Sequence, residues 1–156
     1  MENIISFYKL MLIVSVVAIL ILIYGTVRRC YLNIDDPLMK TLFNEKYKNY
    51  LDGWGLSHVI FYALLTQLYP QYWLSISIIG ILWEITEHIL RTNIVYMYKC
   101  HLNPDTNVDE WWYGRWQDIV MNTIGQILGF SFKKYGVSLI IYPILYVLLF
   151  VSHILI

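Results

Sequence analysis

Apolar residues are grouped along this chain in five long runs separated by shorter polar segments. The runs cover residues 4–24, 54–69, 72–90, 116–132 and 136–156. A helix needs about 20 mainly apolar residues to cross the ~30 Å hydrocarbon core of a bilayer, and these runs approach that length. The pattern therefore predicts an all-α fold: a multi-pass helical membrane protein with about five transmembrane helices.

The segment between the first two runs, residues 31–52, has a different pattern. It mixes apolar with charged side chains, and Asp36-Pro37 is typical of a helix start. We expect an amphipathic stretch that lies in the membrane interface. No internal repeat or low-complexity tract is visible, so the sequence predicts a single membrane domain over residues 1–156.

The composition agrees with a membrane protein. The chain is 58% hydrophobic and 14% charged, whereas soluble domains are about 25% charged. The first run lacks a basic leader region and an Ala-x-Ala-like cleavage site, so we expect it to be retained as an anchor. The formal net charge is zero, which gives no reason to expect nucleic acid as a partner.

Basic residues are unevenly distributed and predict the orientation. Eight of the eleven Lys and Arg residues lie in the segments 28–48 and 91–115, which flank the second and third runs. Because such residues are enriched in cytoplasmic segments, both segments are predicted to be cytoplasmic. Lys133 and Lys134 lie on the opposite side in this topology.

Polar residues stand at one end of three apolar runs, and the alternation of spans would bring these ends to the same interface. They are His58 in the second run, Glu84, Glu87 and His88 in the third, and Asp118 and Asn122 in the fourth. A charge inside a membrane costs roughly 2.5–3.5 kcal/mol, so ionisable residues there are usually functional. We therefore predict a functional site on the cytoplasmic side.

The carboxylates of this site suggest a bound cation. We expect no buried Arg or Lys to neutralise them, and converging carboxylates either share protons or hold a metal ion. Oxygen ligands suit Ca²⁺, Mg²⁺ or Mn²⁺. The candidate metal ligands are Glu84, Glu87, Glu110 and Asp118. Zinc, bound through His58 and His88, is the alternative.

His58 is the candidate for proton transfer, because histidine is the side chain that changes charge near neutral pH. We assign Glu84 and Asp118 to catalysis with it. In the fourth run, Gly125 and Gly129 form a small-xxx-small pair, which predicts close approach of a neighbouring helix.

The order of these residues resembles the core of the base-exchange phosphatidylserine synthases. The resemblance covers about residues 52–130, roughly half the chain. It consists of Asp52 followed by His58, the sequence Trp83-Glu84-Ile85-Thr86-Glu87, Asn107-x-x-Glu110 before a Trp pair, and Asp118 followed by Asn122-x-x-Gly125. Tyr113-Gly114 stand where that family has an acidic residue.

This resemblance implies a Ca²⁺-dependent multi-pass enzyme that exchanges a phospholipid headgroup for L-serine, in the endoplasmic reticulum or a similar internal membrane. Carried over by position, the implied site residues are His58, Glu84, Glu87, Asn107, Glu110, Asp118 and Asn122. We assign Asp52, Asn107 and Asn122 to substrate binding. The expected partners are the bilayer, a phospholipid and L-serine, and a homodimer is left open.

A weaker resemblance connects the chain with small VanZ-like membrane proteins, which share an Asp…His, Glu, Asp…Asn-x-x-Gly order and are closer to this length. It implies a non-enzymatic membrane protein whose polar cluster binds a small amphiphile or locks helices together. A small lipid hydrolase, in which water replaces serine, is the third alternative.

Overall fold

The computed structural model of the chain describes residues 2–32, 36–39, 52–93 and 114–155. Within these ranges the chain forms helices and turns and no β-strand, which confirms the all-α prediction. The five α-helices are α1 (Glu2–Thr26), α2 (Gly53–Leu68), α3 (Trp73–Asn93), α4 (Trp116–Lys134) and α5 (Ile141–Leu155). The chain divides into two compact units, Met1–Asp35 with Ile85–Gly114 and Asp36–Glu84 with Arg115–Ile156.

Helix α1 is the membrane-span candidate among the described helices. Its segment Ile4–Thr26 is long and apolar enough to cross a bilayer, whereas the apolar part of α5, Ile141–His153, is shorter. α1 continues into a π-helical segment, Val27–Leu32. Length and composition thus support membrane association through α1.

The stretch predicted to be amphipathic, residues 31–52, is described only at 31–32, 36–39 and 52. A short 3-10 helix, Pro37–Met39, follows Asp36, whose carboxylate accepts a hydrogen bond from the Leu38 backbone N–H at 3.0 Å. The indole N–H of Trp54 donates to the same carboxylate at 2.8 Å. Asp36 therefore starts a helical turn, as Asp36-Pro37 suggests, and ties it to the beginning of α2.

Both ends of α2 follow from the sequence. Asp52 is its N-cap, and the Asp52 carboxylate accepts a hydrogen bond from the Gly55 N–H at 2.7 Å, which satisfies one of the free donors of the first turn. The helix ends before Pro70, which starts the 3-10 helix Pro70–Tyr72 leading into α3. Proline has no N–H to continue a helical ladder.

Helices α2 and α4 pack closely because α4 presents glycines to α2. A Cβ atom on Gly125 would collide with the backbone carbonyl of Val59, and one on Gly129 would collide with that of Ala63. The absence of these side chains lets the two backbones approach. The glycine pair therefore sets the distance between the helices that carry His58 and Asp118.

The last helix begins at Ile141, five residues later than the apolar run at 136–156 predicts. α4 ends in a Schellman motif, in which Gly136 has a φ of +67° and the N–H groups of Gly136 and Val137 donate to the carbonyls of Lys133 and Phe132. Turns then follow up to residue 140, and Pro143 falls in the first turn of α5, where proline is tolerated.

The unit that contains α2, α4 and α5 buries many polar residues beside its apolar core and exposes many apolar ones. Its buried polar residues are Asp36, Asp52, Thr66, Gln67, Glu84, Asp118, Asn122, Gln126 and His153. Exposed apolar side chains line α4 and α5, among them Ile127 and Val147. Hydrogen bonds satisfy part of the interior; the Tyr142 hydroxyl, for example, donates to Gln67 Oε1 at 2.6 Å.

Candidate functional site

Three helices of one compact unit each contribute a residue to a shared polar cluster. His58 lies in the second turn of α2, Glu84 lies near the middle of α3, and Asp118 lies in the first turn of α4. One potential ligand atom from each of these three side chains lies within 4.8 Å of the others. We call these three residues the His58 cluster.

Asn122 orients the imidazole of His58. Its side-chain oxygen Oδ1 lies 2.8 Å from His58 Nδ1, and Asn122 itself is buried. Because an amide oxygen can only accept, Nδ1 carries the proton in this contact and the neutral ring keeps its lone pair on Nε2. Asn122, assigned to substrate binding from the sequence, is thus in contact with the candidate catalytic residue.

Glu84 has one engaged and one unengaged carboxylate oxygen. Oε2 accepts a hydrogen bond from the Arg115 backbone N–H at 3.0 Å. Oε1 lies 3.8 Å from His58 Nδ1 and has no hydrogen-bond partner among the described residues, although the side chain is only 5% exposed. A buried carboxylate oxygen without a partner is costly, so this atom is a natural position for a ligand.

Arg115 corrects the expectation that no buried basic residue accompanies the carboxylates. Its guanidinium is 9% exposed and lies between Asp52 and Asp118. Nη1 donates to Asp52 Oδ2 at 2.6 Å, and Nε donates to Asp118 Oδ2 at 2.9 Å. The expectation was wrong because Arg115 precedes α4 in a polar segment, yet its side chain extends over the first turn of that helix.

Arg115 keeps its positive charge in this position. Burial by itself lowers the pKa of the guanidinium, but the hydrogen bond with Asp52 and the charges of Asp118 and Asp52 outweigh burial and raise the pKa above its ordinary value. Arg115 is therefore a permanent cation that neutralises part of the negative charge at the site.

Asp52, assigned to substrate binding from the sequence, has structural partners for both carboxylate oxygens. Oδ1 accepts from the Gly55 N–H and, at 3.3 Å, from Arg115 Nη2, while Oδ2 accepts from Arg115 Nη1. The residue thus caps α2 and pairs with Arg115, which connects the starts of α2 and α4.

The other candidates are placed differently. Glu87 and His88 follow Glu84 by about one turn of α3 and belong to the other compact unit. Glu87 is half-buried, and His88 is exposed. Asn107 and Glu110 lie outside the described residues. The cluster that the structure describes therefore contains two of the four predicted metal ligands, Glu84 and Asp118, together with His58.

The donor atoms of the cluster fit a divalent cation. Glu84 Oε1 is buried without a hydrogen bond, and each oxygen of Glu84 and Asp118 retains a lone pair beyond the contacts made with Arg115. His58 Nδ1 is engaged by Asn122, so the carboxylates are the better ligands. Oxygen donors suit hard cations, without distinguishing Ca²⁺ from Mg²⁺ or Mn²⁺.

Sequence reasoning missed Arg115 as a site residue and counted it only toward orientation. One signal was present: Arg115 stands three residues before Asp118 at the start of a helical run, a spacing at which the two side chains can meet. Its second partner, Asp52, is 63 residues away in sequence, and no local pattern predicts that contact.

The fold and the site together define a helical protein with a buried histidine–carboxylate centre and an internal arginine. Comparison with known proteins adds no relative: no protein-family model, curated protein or solved structure matches this chain.

Proposed function

We propose that this chain is a membrane-embedded phosphatidyltransferase that exchanges a phospholipid headgroup for L-serine, with His58 as the reacting side chain. The observation that carries the proposal is the placement of His58. Asn122 holds Nδ1, and the Nε2 lone pair remains. Glu84 Oε1 lies 3.8 Å from Nδ1 and has no hydrogen bond from the residues that the structure describes. This combination provides a base beside an acidic group able to bind a cation.

The distribution of polarity supports a membrane location for more than α1. Large apolar side chains are exposed along α3, α4 and α5, while nine polar or charged residues are buried among those that the structure describes. Water would favour the opposite distribution, whereas lipid solvates an apolar surface and leaves polar groups to pair inside. We therefore place all five helices in the bilayer, with the site at its cytoplasmic interface.

His58 performs the proton transfer in this proposal. Nε2 takes the proton of the serine hydroxyl as its oxygen bonds to phosphorus, the bond between phosphorus and the old headgroup oxygen breaks, and the imidazolium returns the proton to that oxygen. In a covalent route, Nε2 attacks phosphorus with the same lone pair, the bond to the old headgroup oxygen breaks and that oxygen takes a proton from water; the serine oxygen then bonds to phosphorus, the P–N bond breaks and the serine proton goes to water. Both routes require the tautomer that Asn122 selects.

The carboxylates hold the cation. Glu84 and Asp118 would bind it, and a bound divalent metal supplies stabilisation of the negative charge on the phosphoryl oxygens. Glu87 and Glu110 remain proposed additional ligands on the strength of the family resemblance, and Ca²⁺ remains the expected metal on the same ground.

One observation favours a non-enzymatic alternative. Arg115 already pairs with both Asp52 and Asp118, so the polar cluster could serve to lock α2 and α4 together or to hold an amphiphile. That role needs no reaction at His58. It is the VanZ-like alternative, and it predicts a site without turnover.

The test uses the full chain, purified in detergent, with a phospholipid labelled in its headgroup. We expect release of labelled headgroup that requires both L-serine and a divalent cation and stops on chelation. Release without serine would instead indicate a hydrolase. No release under any of these conditions would contradict the enzymatic proposal and favour the binding alternative.

A further inference from the structure

Arg115 is hydrogen-bonded to three acidic side chains of the described residues, Glu84, Asp118 and Asp52. Its backbone N–H donates to Glu84 Oε2, and its guanidinium donates to both oxygens of Asp118 and of Asp52. The guanidinium has no role in the proton transfer proposed for His58. Its position among the candidate ligands nevertheless gives it a direct influence on any cation that binds there.

Arg115 and a bound cation would share an acceptor. Nε and Nη2 of Arg115 donate to Asp118 at 2.9 and 3.3 Å, and Asp118 also belongs to the group of ligand atoms within 4.8 Å of one another. A metal bound to Asp118 would therefore lie close to the guanidinium. Because both carry positive charge in a poorly solvated site, they repel each other.

The charge balance shows what Arg115 does when no metal is bound. When Asp52, Glu84 and Asp118 are all ionised, the three carboxylates and one guanidinium carry two net negative charges, which a divalent cation would neutralise. Without Arg115, three carboxylates would repel one another in a buried position. Arg115 thus stabilises the metal-free site and competes with the metal for Asp118.

A second observation indicates that the cluster binds a ligand and is more than a set of acidic residues. The Glu84 side chain is only 5% exposed, and its Oε1 atom has no hydrogen bond within the described part of the chain despite the proximity of Arg115. Arg115 therefore satisfies two carboxylates fully and leaves one oxygen of the third for something else.

We propose that Arg115 sets the cation affinity of the site: it acts as a resident counter-charge that lowers divalent-metal affinity and holds the acidic residues in place when the metal leaves. This inference rests on the cation site of the proposed function. It makes Arg115 a positioning residue that tunes a reversible site, and it requires no particular lipid or acceptor.

The experiment is a Mn²⁺ titration of the full-length protein in detergent, followed by electron paramagnetic resonance of free Mn²⁺. Arg115→Gln removes the charge and Arg115→Lys keeps it as the matched control. We expect Arg115→Gln to bind Mn²⁺ about tenfold more tightly or better, because a repelling charge a few ångströms away is lost. Arg115→Lys keeps the charge but loses the fork of N–H donors, so its Mn²⁺ affinity should lie closer to that of the wild type than to that of Arg115→Gln.

Thermal unfolding gives a second readout. Without metal, Arg115→Gln should unfold at a lower temperature than the wild type, and Mn²⁺ should raise its midpoint by more than it raises the wild-type midpoint. If Arg115→Gln does not fold, the single variant Asp52→Asn is compared with the double variant Asp52→Asn/Arg115→Gln. In this pair the loss of Arg115 does not leave an unpaired charge at position 52. The double variant should bind Mn²⁺ more tightly than the single one.

Weaker or unchanged Mn²⁺ affinity on loss of the Arg115 charge would overturn the inference, as would a failure of every form to bind Mn²⁺. The headgroup-release assay tests the proposed reaction separately from this inference. Tighter Mn²⁺ binding in Arg115→Gln without any headgroup release from the wild type would keep the inference and reject the proposed reaction.

Discussion

His58 and His153 differ in the hydrogen bonding and exposure of their imidazole rings, and this difference distinguishes a histidine that can react from a structural one. Nδ1 is held by Asn122 Oδ1 at 2.8 Å, and the side chain retains 13% exposure. His153 differs: it is fully buried, and its Nδ1 lies 2.8 Å from the Leu149 carbonyl of its own helix. Only the first arrangement leaves a ring accessible to a substrate.

His58→Ala should lower turnover by about 10²–10⁴-fold, the usual loss when a general base is removed. The thermal midpoint and Mn²⁺ affinity should change little, because the carboxylates remain. His88→Ala, the same substitution at an exposed histidine of α3, is the matched control and should keep near-normal turnover. Near-normal turnover of His58→Ala would remove His58 from the mechanism, and a loss at His88 would revive the zinc alternative.

Asn122→Leu should reduce both stability and turnover, since it leaves His58 Nδ1–H without its acceptor in the protein interior. Leaving such a group unpaired costs about 1–3 kcal/mol, measurable as a lower thermal midpoint in detergent. The control is Thr123→Ala on the same helix, because the Thr123 hydroxyl is exposed and bonds only the Ile119 carbonyl in the described contacts. Equal effects of the two substitutions would show that the contact with His58 is unimportant.

At this scale the sequence predicted part of the site. The meeting of His58, Glu84, Asp118 and Asn122 was expected because alternating spans bring one end of each helix to the same level. The role of Arg115 was not expected, because it depends on a side chain that reaches from the start of α4 to Asp52 at the start of α2. Glu87, which the sequence also proposed as a ligand, is not among the three residues whose ligand atoms come together, because helical spacing alone does not fix which neighbour a residue meets.

Among the helices, α2 and α4 form the framework of the site. Their close packing depends on Gly125 and Gly129, which lie against the backbone carbonyls of Val59 and Ala63. The small-xxx-small spacing predicted this contact from the sequence. The late start of α5 was harder to foresee, because the apolar run continues through a turn that a left-handed Gly136 begins.

Gly129→Ala should push α4 away from α2 and lower the thermal midpoint, because the new methyl group would collide with a carbonyl that cannot rotate away. Overpacking of this kind costs about 1–3 kcal/mol, and the displacement of Asp118 from His58 should also lower turnover. Ser131→Ala, on an outer part of α4 where the hydroxyl bonds the Ile127 carbonyl, should leave both unchanged. A stable, active Gly129→Ala protein would contradict the tight packing.

For the molecule as a whole, the exposed apolar side chains of α3, α4 and α5 extend the membrane interpretation beyond α1. The sequence predicted this through composition and run length. Burial adds an independent reason, because several polar side chains of the described residues are buried while many large apolar ones are exposed. In the proposed arrangement lipid covers these apolar side chains, and the polar groups pair with one another.

Reporter tags placed in segments 31–52 and 91–114 should both be accessible from the cytoplasm, because an even number of spans separates these segments and eight of the eleven basic residues lie in them or directly beside them, over 28–48 and 91–115. The tags are cysteines, and the measurement is their accessibility to a labelling reagent in sealed membrane vesicles. A tag near Lys133 should be accessible from the opposite side. Tags from the two segments on opposite sides would contradict the five-span arrangement.

The most direct test of the central claim is incorporation of labelled L-serine into lipid by the purified chain in phospholipid vesicles. The proposed function predicts label in the lipid fraction that depends on a divalent cation and is lost in both His58→Ala and Glu84→Gln, while Thr123→Ala behaves as the wild type. Lipid that stays unlabelled with the folded wild-type protein in Ca²⁺, Mg²⁺ and Mn²⁺ alike would contradict serine exchange at the His58 cluster.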